Sequence, residues 1–427
     1  MAKRVLIVTY HFPPRPGIAS LRLRGLAKYL PEFRWEPIIL MPALPSAPNE
    51  GFQVMQTPYL GDVSARFKKA LHLNQNRGFQ EQVRIPLSIR EGKRSFTTKA
   101  VTSFKSVIAY PDEQKGWYRF AVKAGMNLLQ KGNIDALISS SGPVTTHLIA
   151  SELKKRFHVP WVADLRDLWT QNAYYSYGLV RKWLERRLEL STFAHADALT
   201  TTSKPWAEDL KSLHSNKKVV VIFNGFDPDD MGSAPLTKQF TITYTGQLYH
   251  GKRDPTLLLR ALRELTTKGL IDPDITRVRF FGPRQYWLEQ EIKEHCLRGI
   301  VKQFGVVTRE DALAKQRESQ ILLLLNWNDP REQGTYTGKL FEYLAAKRPI
   351  LAIGMPKGVV SELLKKTQAG ISTSNLTVVK DILAKFYKEY KIIGKVPYYG
   401  KDNEIQKYSQ REMAKKFADL LDRFAGK

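Results

Sequence analysis

The segment GTYTGKLFEYLAAKRP, residues 334–349, combines residue types that could bind a phosphorylated ligand. Thr337 and Gly338 lie where the apolar pattern predicts the start of a helix, and Thr337 could cap that helix. Lys339 and the free N–H groups of a first helical turn would form an anion site. Glu342, expected in about the first turn, could hold a vicinal diol such as ribose. An ordinary helix-to-strand unit explains the same residues equally well.

A second group of cations follows a predicted strand that ends in YTGQL, residues 244–248. Gly246 and Gln247 lie in the turn after this strand. Lys252 would supply a point charge to a diphosphate, and Arg253 could add a forked donor. Exposed surface cations without a ligand are the alternative.

Two carboxylates bracket an arginine at the end of another predicted strand. Asp164, Arg166 and Asp167 stand in the sequence WVADLRDLW, at the carboxyl end of a strand, where α/β enzymes place reactive groups. Either carboxylate could contact an acceptor hydroxyl. A structural pair between the arginine and a carboxylate is the alternative.

The loop YHFPPRPG, residues 10–17, joins the first predicted strand to the first helix. Such a loop exposes backbone N–H groups and a helix N-terminus, which suits a phosphate. Prolines that merely stiffen a turn are the alternative. The dinucleotide fingerprint G-x-G-x-x-G and the Walker pattern are both absent, which argues against an ordinary NAD or ATP site here.

The elements that must position these residues alternate between short apolar strands and helices, which is typical of parallel α/β architecture. Strands are predicted at residues 5–8, 37–40, 136–139, 160–163, 198–201 and 219–222, and then at 241–244, 278–281, 300–304, 321–325, 349–353 and 370–373. The fold class is therefore α/β, with two doubly wound Rossmann-like domains that face a ligand cleft.

Domain boundaries follow from breaks in this alternation. Residues 1–225 form the first domain and residues 226–400 the second. Residues 42–115 are polar and basic without periodicity, and we interpret them as an insertion. A long amphipathic helix, about 404–425, closes the chain within a segment 401–427 that we expect to pack back on the first domain.

The composition excludes several classes of protein. The chain has 427 residues, a formal net charge of +26 and one cysteine, Cys296, so a disulfide framework and a cysteine-based zinc site are excluded. No apolar run is long enough to span a bilayer, and we expect a cytoplasmic protein. The charge suggests an acidic partner, but no finger, helix-turn-helix or RNP pattern points to nucleic acid.

Taken together, the motifs carry a family resemblance over most of the chain. YHFPPRPG followed by LRGLAKYL, then GPVTTHLIA, PWVADLRDLW, IFNGFD, TYTGQLYHGK and GKLFEYLAAKRPILAIG occur in an order and spacing that resembles glycosyltransferase family 4. Members of this family are retaining enzymes of the GT-B fold that use nucleotide-sugar donors. The resemblance implies a metal-independent reaction without a cofactor, in which the sugar of a nucleotide diphosphate sugar moves to a glycan or lipid-linked acceptor.

The resemblance also assigns roles to individual residues. Lys252, which we expect to be catalytic, would bind the donor diphosphate, and Glu342 would hold the ribose hydroxyls. The remaining donor-binding candidates are Gly17, Gly246, Gln247, Arg253, Thr337, Gly338 and Lys339. Asp167 would be the catalytic group on the acceptor side, with His11, Asp164 and Arg166 as further acceptor-side candidates.

The sequence departs from the family pattern at two positions. Gln247 stands where the family has a donor arginine, and we expect Arg253 to supply the lost charge. Gly334 stands eight positions before Glu342, where the family has a paired glutamate, and Glu332 is out of register. The donor sugar therefore stays open.

Three other functions remain as alternatives: a nucleotide-sugar epimerase, a non-catalytic scaffold of the same fold and, with least support, a nucleic-acid-binding protein. For the basic charge we expect a different use, peripheral association with the inner face of a membrane. Each cation near an anionic surface adds about 1 kcal/mol of attraction. The expected contacts are the region 60–105 and the helix that contains Arg181 and Arg187.

Overall fold

The computed structural model describes residues 2–43, 51–63, 109–175, 177–232 and 234–426. These residues form two compact units, each built on one parallel sheet with interleaved helices. The first unit comprises Met1–Thr202, Trp206–Ile222 and Ala414–Lys427, and the second comprises Ser203–Pro205 and Phe223–Met413. The predicted α/β fold class is confirmed.

The first unit contains a seven-stranded parallel sheet in the order β3-β2-β1-β4-β5-β6-β7. Its strands are β1 (Lys3–Thr9), β2 (Trp35–Pro42), β3 (Gln53–Thr57), β4 (Ala136–Ser140), β5 (Trp161–Leu165), β6 (Ala198–Thr201) and β7 (Lys218–Val221). Its helices are α1 (Ile18–Tyr29), α2 (Tyr118–Gln130), α3 (Thr145–Phe157), α4 (Leu179–Phe193) and α5 (Lys204–Leu213). The central strands β4 and β5 are buried along their whole length, because helices cover both faces of the sheet.

The second unit repeats this plan with six parallel strands in the order β10-β9-β8-β11-β12-β13. The strands are β8 (Phe240–Thr245), β9 (Thr276–Phe281), β10 (Val301–Gly305), β11 (Ile321–Leu325), β12 (Ile350–Ile353) and β13 (Gly370–Thr373). The helices are α6 (Thr256–Thr267), α7 (Tyr286–Glu294), α8 (Arg309–Arg317), α9 (Gly338–Ala346), α10 (Val359–Thr367), α11 (Leu376–Ile393), α12 (Asp402–Ile405) and α13 (Gln410–Ala425), the last continuing into the first unit.

Each sheet has one point at which the strand order reverses. In the first unit this point lies between β1 and β4, and in the second between β8 and β11. The helices that follow the two strands at such a point leave in opposite directions, and the gap at the carboxyl ends of the strands is the usual ligand site of a doubly wound sheet.

Residues 42–115 contain more order than the sequence predicted. Within them, β3 (Gln53–Thr57) pairs in parallel with β2 and forms the edge of the first sheet. The sequence analysis predicted no strand within this insertion, which is wrong for residues 53–57. Its strand was overlooked because Gln53, Met55 and Gln56 lack the β-branched apolar pattern of a buried strand, as suits an edge. Residues 44–50 and 64–108 lie outside the described part of the chain.

The predicted single helix at 404–425 is also wrong, because it is broken at Ser409. Ser409 is extended (φ −84°, ψ 155°) between a 3₁₀ turn and α13. On either side of it the Phe226 N–H donates to the Tyr408 carbonyl at 3.1 Å, and the Gln410 N–H donates to the Phe226 carbonyl at 2.8 Å. A Cβ at Gly225 would lie 2.6 Å from the Ser409 carbonyl carbon, so only glycine allows this approach.

Asp164 is completely buried, contrary to the expectation that it contacts an acceptor. Arg22, also completely buried, reaches it with two hydrogen bonds, Nη2 to Oδ1 at 2.8 Å and Nε to Oδ2 at 3.0 Å. The hydroxyls of Ser140 and Thr200 donate to the same carboxylate. Burial raises the pKa of Asp164, but the charges of Arg22 and Arg166 outweigh this effect and hold the pKa below its ordinary value. Asp164 therefore fixes α1 against the sheet.

In the part of the chain that the structure describes, no helix has the length and apolar character required to cross a bilayer.

Breaking the buried pair should destabilise the first unit strongly. Asp164→Asn leaves the Arg22 guanidinium buried without its counter-ion, and we expect the free energy of unfolding to fall by about 3–5 kcal/mol. Urea denaturation followed by circular dichroism measures this loss. The control is Glu36→Gln, which removes the same charge from a half-exposed pair with Arg4 and should cost less than about 1 kcal/mol. Similar losses in both variants would contradict the assignment.

Candidate functional site

Gly246 and Lys339 meet where the strand order of the second sheet reverses. Gly246 follows β8 directly, and Lys339 is the second residue of α9. A Cβ at position 246 would overlap Lys339 Cε and would lie 2.7 Å from Lys339 Nζ. Gly246 also has φ of 114°, a conformation that side chains rarely adopt. The absence of a side chain at 246 therefore gives Lys339 its path to the edge of the sheet.

The Lys339 ammonium group is held in an apolar and electropositive environment. Its Nζ lies 4.9 Å from the centroid of the Tyr244 ring. Burial, together with the charge of Arg253, lowers the pKa of Lys339 to about 8, although Glu342 acts in the opposite direction. Among the described residues Lys339 has neither a hydrogen bond nor an ion pair. A cation in this state is stabilised by any anion that comes within reach.

Two further cations, both predicted from the sequence, lie in the loop after β8. Lys252 is exposed, and its ammonium group is 4.4 Å from the centroid of the Trp327 ring. The Arg331 guanidinium contacts the same ring at 5.1 Å. Arg253 is half-buried and lies 5.5 Å from the Tyr249 ring. The loop therefore places two cations near the end of β8, and each of them contacts the face of an aromatic ring.

The start of α9 has no side-chain cap. Thr337 occupies the N-cap position with extended backbone, but its side chain makes no capping hydrogen bond, so the predicted cap is wrong. Its hydroxyl is instead buried and has no partner in the described part of the chain. Gly338 and Lys339 follow as the first two residues of the helix. An uncapped N-terminus beside a buried, unsatisfied hydroxyl provides donors for an anion.

Glu342 lies in the second turn of α9 rather than in the first, where the sequence placed it. The Gln316 amide donates to Glu342 Oε2 at 3.2 Å and to Thr245 Oγ1 at 2.9 Å. Arg309 Nε is 3.9 Å from Glu342 Oε1. The carboxylate is thus oriented by two neighbours while its side chain stays 24% exposed, so an oxygen remains accessible to a hydroxyl donor.

A shallow cleft opens beside Trp327 in the second unit. Trp327, Glu332, Thr335 and Ser361 are among the residues that line it, together with Gly358 at the start of α10. Glu332 thus lines a cleft near Lys252, although it stands two positions before Gly334, where the family pattern has the paired glutamate. Gly334 is buried, and Gln247 is exposed in the turn after β8.

The acceptor-side candidates His11, Arg166 and Asp167 belong to the first unit. His11 follows β1, and Arg166 and Asp167 follow β5. Burial, with the charges of Arg166 and Arg15, lowers the pKa of His11 to about 4, so the imidazole is neutral at pH 7. Arg166 Nε donates to Ser140 Oγ at 3.2 Å. Burial lowers the pKa of the Arg166 guanidinium, and the charge of Asp167 opposes this effect. Asp167 itself is exposed.

Gly17 ends the loop after β1 and occupies the N-cap of α1. Its φ is 115°, which favours glycine, and a Cβ there would meet no atom within 4 Å. Backbone conformation, rather than lack of space, therefore explains glycine here. Within the same loop the Arg15 guanidinium lies 4.0 Å from the Tyr10 ring centroid. No side chain caps α1, as at α9.

Sequence reasoning missed Trp327, Gln316 and Arg309. Trp327 comes two residues after the predicted strand 321–325, at a carboxyl end where side chains commonly face a ligand, and that position could have identified it. Gln316 and Arg309 lie on α8, and nothing in the local sequence of this helix marks them. They become visible only when α8 packs beside α9.

Comparisons with known proteins give a family match for part of the chain and a fold for the whole chain. Residues 19–230 match the family model described as Glycosyltransferase Family 4. Sucrose-phosphate synthase from Thermosynechococcus elongatus is structurally similar, with a TM-score of 0.62, 13% identity and coverage of 100% of both chains.

Two other solved structures share the fold. A glycosyltransferase from Rickettsia africae ESF-5 has a TM-score of 0.59 and 12% identity, with coverage of 99% of this chain and 98% of that one. Anabaena HepE, solved with UDP and glucose, has a TM-score of 0.57 and 13% identity, with coverage of 99% and 100%. No curated protein matches the sequence.

These structural matches show the fold, and the family match reaches from α1 to the start of the second unit. Two parallel, doubly wound units with this match form the architecture of a GT-B glycosyltransferase. The match of residues 19–230 to glycosyltransferase family 4 identifies the chain as a glycosyltransferase.

Proposed function

We propose that the protein moves a sugar, with retention of its anomeric configuration, from a nucleoside diphosphate sugar to a hydroxyl of a glycan or lipid-linked acceptor. The process we propose for it is cell-surface polysaccharide or glycoconjugate synthesis. The observation that carries the donor class is the Lys339 ammonium group, which is largely withdrawn from solvent and forms no ion pair among the described residues. HepE, of similar fold, was solved with UDP, so UDP-sugars are the first donors to test. An inverted anomeric centre in the product, read by NMR, would contradict retention.

In this proposal the diphosphate lies among Lys252, Arg253 and Lys339, at the start of α9. The Thr337 hydroxyl and the N–H groups of Gly338 and Lys339 would donate to its oxygens. Negative charge develops on the diphosphate as the sugar leaves, and preorganised cations stabilise that transition state more than the ground state. Gly246 and Gln247 would pass beside the ligand.

Glu342 would accept hydrogen bonds from the ribose hydroxyls, in the orientation that Gln316 imposes. The cleft beside Trp327 would take the sugar, and Glu332 in its wall would contact the sugar hydroxyls in place of the glutamate missing at Gly334. Support for this assignment comes from the position of the cleft next to the Lys252–Trp327 contact.

On the acceptor side we assign Asp167 as the catalytic group, with Arg166 and neutral His11 as its neighbours. An exposed carboxylate next to a cation can accept the proton or the hydrogen bond of an incoming hydroxyl. Asp164 has no such part, because its oxygens are occupied within the core. The proposed acceptor surface is an anionic membrane on its cytoplasmic face, where a lipid-linked substrate would lie.

Lys252→Ala should lower the rate of transfer at least about 100-fold, because a cation on the leaving diphosphate is worth roughly 3 kcal/mol in comparable sites. Release of UDP from a UDP-sugar in the presence of acceptor measures this rate. The assay contains EDTA, since we propose a metal-independent reaction, and wild-type activity lost on chelation would contradict that part. Lys365→Ala, an exposed cation on α10, is the control and should leave the rate unchanged. Undiminished turnover in Lys252→Ala would favour a scaffold or a different site.

Glu342→Gln should remove the preference for ribose hydroxyls. Wild-type protein should bind UDP about 10- to 100-fold more tightly than its 2′,3′-dideoxy analogue, because the bound analogue covers the accessible oxygen of the carboxylate without donating a hydrogen bond to it. The variant should bind the two ligands within about threefold of each other. Isothermal titration calorimetry gives the four dissociation constants. Equal discrimination in both proteins would place the ribose elsewhere.

Lys339→Met should stabilise the second unit at pH 7 while it weakens donor binding. The folded pKa of about 8 lies below the ordinary value of 10.5, so the charged form costs the folded state about 3 kcal/mol below pH 8. This penalty disappears as the pH rises from 8 to 10.5, because only the unfolded chain still binds the proton. Methionine keeps the aliphatic stem and removes the charge.

Urea denaturation at pH 7 and at pH 10 tests this expectation. The stability advantage of Lys339→Met should be largest at pH 7 and should shrink by pH 10. Lys365→Met removes an exposed charge and should show no such dependence on pH. A variant less stable than wild type at pH 7 would mean that the ammonium group has an anionic partner within the protein.

A further inference from the structure

Helix α4 (Leu179–Phe193) buries charged residues and exposes apolar ones. Glu189 and Glu185 are 0% and 2% exposed, whereas Leu179 and Val180 are 86% and 76% exposed. Helices at the surface of a soluble protein show the opposite arrangement. A contiguous exposed apolar face of this kind marks a surface that contacts something other than water.

The inner face of α4 fixes this orientation. Arg181 Nε lies 2.6 Å from Glu185 Oε1, and the Trp169 indole N–H donates to Glu185 Oε2 at 2.9 Å. The backbone N–H of Thr170 donates to Glu189 Oε2 at 3.1 Å. Rotation of the helix to bury its apolar residues would expose the partners of these carboxylates and break their hydrogen bonds. The apolar face therefore stays outward in the folded unit.

The outer face changes character along the helix. Leu179 and Trp183 are four residues apart and share the face with Val180, and Trp183 is 56% exposed. The next turn carries the exposed Arg186 and Arg187, and the Arg187 guanidinium lies 4.9 Å from the Trp183 ring centroid. An apolar end followed by a cationic turn fits the boundary between the acyl chains and the phosphates of a bilayer.

We propose that α4 is an interfacial helix that inserts its first two turns into an anionic lipid surface. Leu179, Val180 and Trp183 enter the acyl boundary, while Lys182, Arg186 and Arg187 contact lipid phosphates. Both acidic residues of the helix are buried, so its exposed charge is wholly positive. This inference refines the membrane partner proposed above and is independent of sugar transfer.

Charge decides between a bilayer and a second copy of the chain as the occupant. The protein carries a formal net charge of +26, and the apolar face is bordered by cations. Two copies that paired through α4 would bring these like charges together, which opposes association. Anionic headgroups neutralise the same charges, and each cation near such a surface strengthens binding about fivefold.

Co-sedimentation with vesicles of phosphatidylcholine, with and without phosphatidylglycerol, tests the proposal. Wild-type protein should bind the anionic vesicles and bind neutral ones at least tenfold more weakly. The double variant Leu179→Ser/Trp183→Ser should lose at least about tenfold in partitioning. Replacement of Lys182, Arg186 and Arg187 by Gln should lose about 100-fold.

Tyr286→Ser is the matched control, because it removes an aromatic side chain that is 78% exposed in the second unit. It should bind vesicles as wild type does. Circular dichroism and UDP affinity in solution should be unchanged in the α4 variants. Lost vesicle binding with intact UDP affinity separates this inference from the donor proposal.

Three results would overturn the proposal. Unchanged vesicle binding by the double serine variant would show charge adsorption without insertion. Equal binding of the wild-type protein to neutral and anionic vesicles would exclude recognition of anionic headgroups. A dimer in sedimentation velocity that dissociates in the double serine variant would identify a second copy as the occupant.

Discussion

A largely buried positive charge that forms no ion pair among the described residues is the constraint on which the candidate site of the second unit depends. Lys339 reaches the end of the sheet only because Gly246 has no side chain. Gly246 in turn lies against Gly282, where a Cβ would overlap the Gly246 carbonyl oxygen. The lack of a side chain at both Gly246 and Gly282 therefore leaves room for the Lys339 side chain. A fold that keeps so costly a group, with a pKa lowered to about 8, stores electrostatic energy that an anionic ligand recovers on binding.

Most of the fold could be predicted because the strands of a doubly wound sheet are short apolar runs between helices. β11, with five consecutive buried aliphatic residues, is the plainest example. Elements that lack this pattern were missed, such as the edge strand β3. Helix α11 was missed although Asn375 caps it and Gly394 ends it in the left-handed conformation. The break at Ser409 depends on hydrogen bonds to Phe226, which lies 183 residues earlier in the sequence, and no local pattern contains that information.

The candidate site was predictable where one segment carries several of its residues. Lys339 and Glu342 belong to the same helix, and their residue types and spacing suit an anion and a diol, although an ordinary helix-to-strand unit explains them equally well. The orientation of Glu342 was not predictable, because Gln316 and Arg309 come from another helix. Asp164 shows the reverse error. Its local sequence suggested an acceptor contact, with a pair to the neighbouring arginine as the alternative, whereas Arg22, 142 residues away, forms the buried ion pair. Spacing identifies which groups are present, and packing decides which of them stay free.

The same physical criterion distinguishes the two surfaces that we propose as functional. Core charges of the first unit, at Asp164 and Glu185, have their hydrogen bonds satisfied inside the protein, so they explain stability rather than activity. Lys339 and the exposed end of α4 are unfavourable in opposite senses, because Lys339 is a largely buried charge and α4 exposes apolar side chains to water. A buried charge and exposed apolar side chains both raise the free energy of the unbound protein. The first is relieved by an anion and the second by an apolar surface, so each feature indicates the chemistry of its partner. A diphosphate would neutralise Lys339, and an anionic bilayer would take up the apolar side chains and the cations of α4. A transferase that acts on a lipid-linked acceptor would bind both.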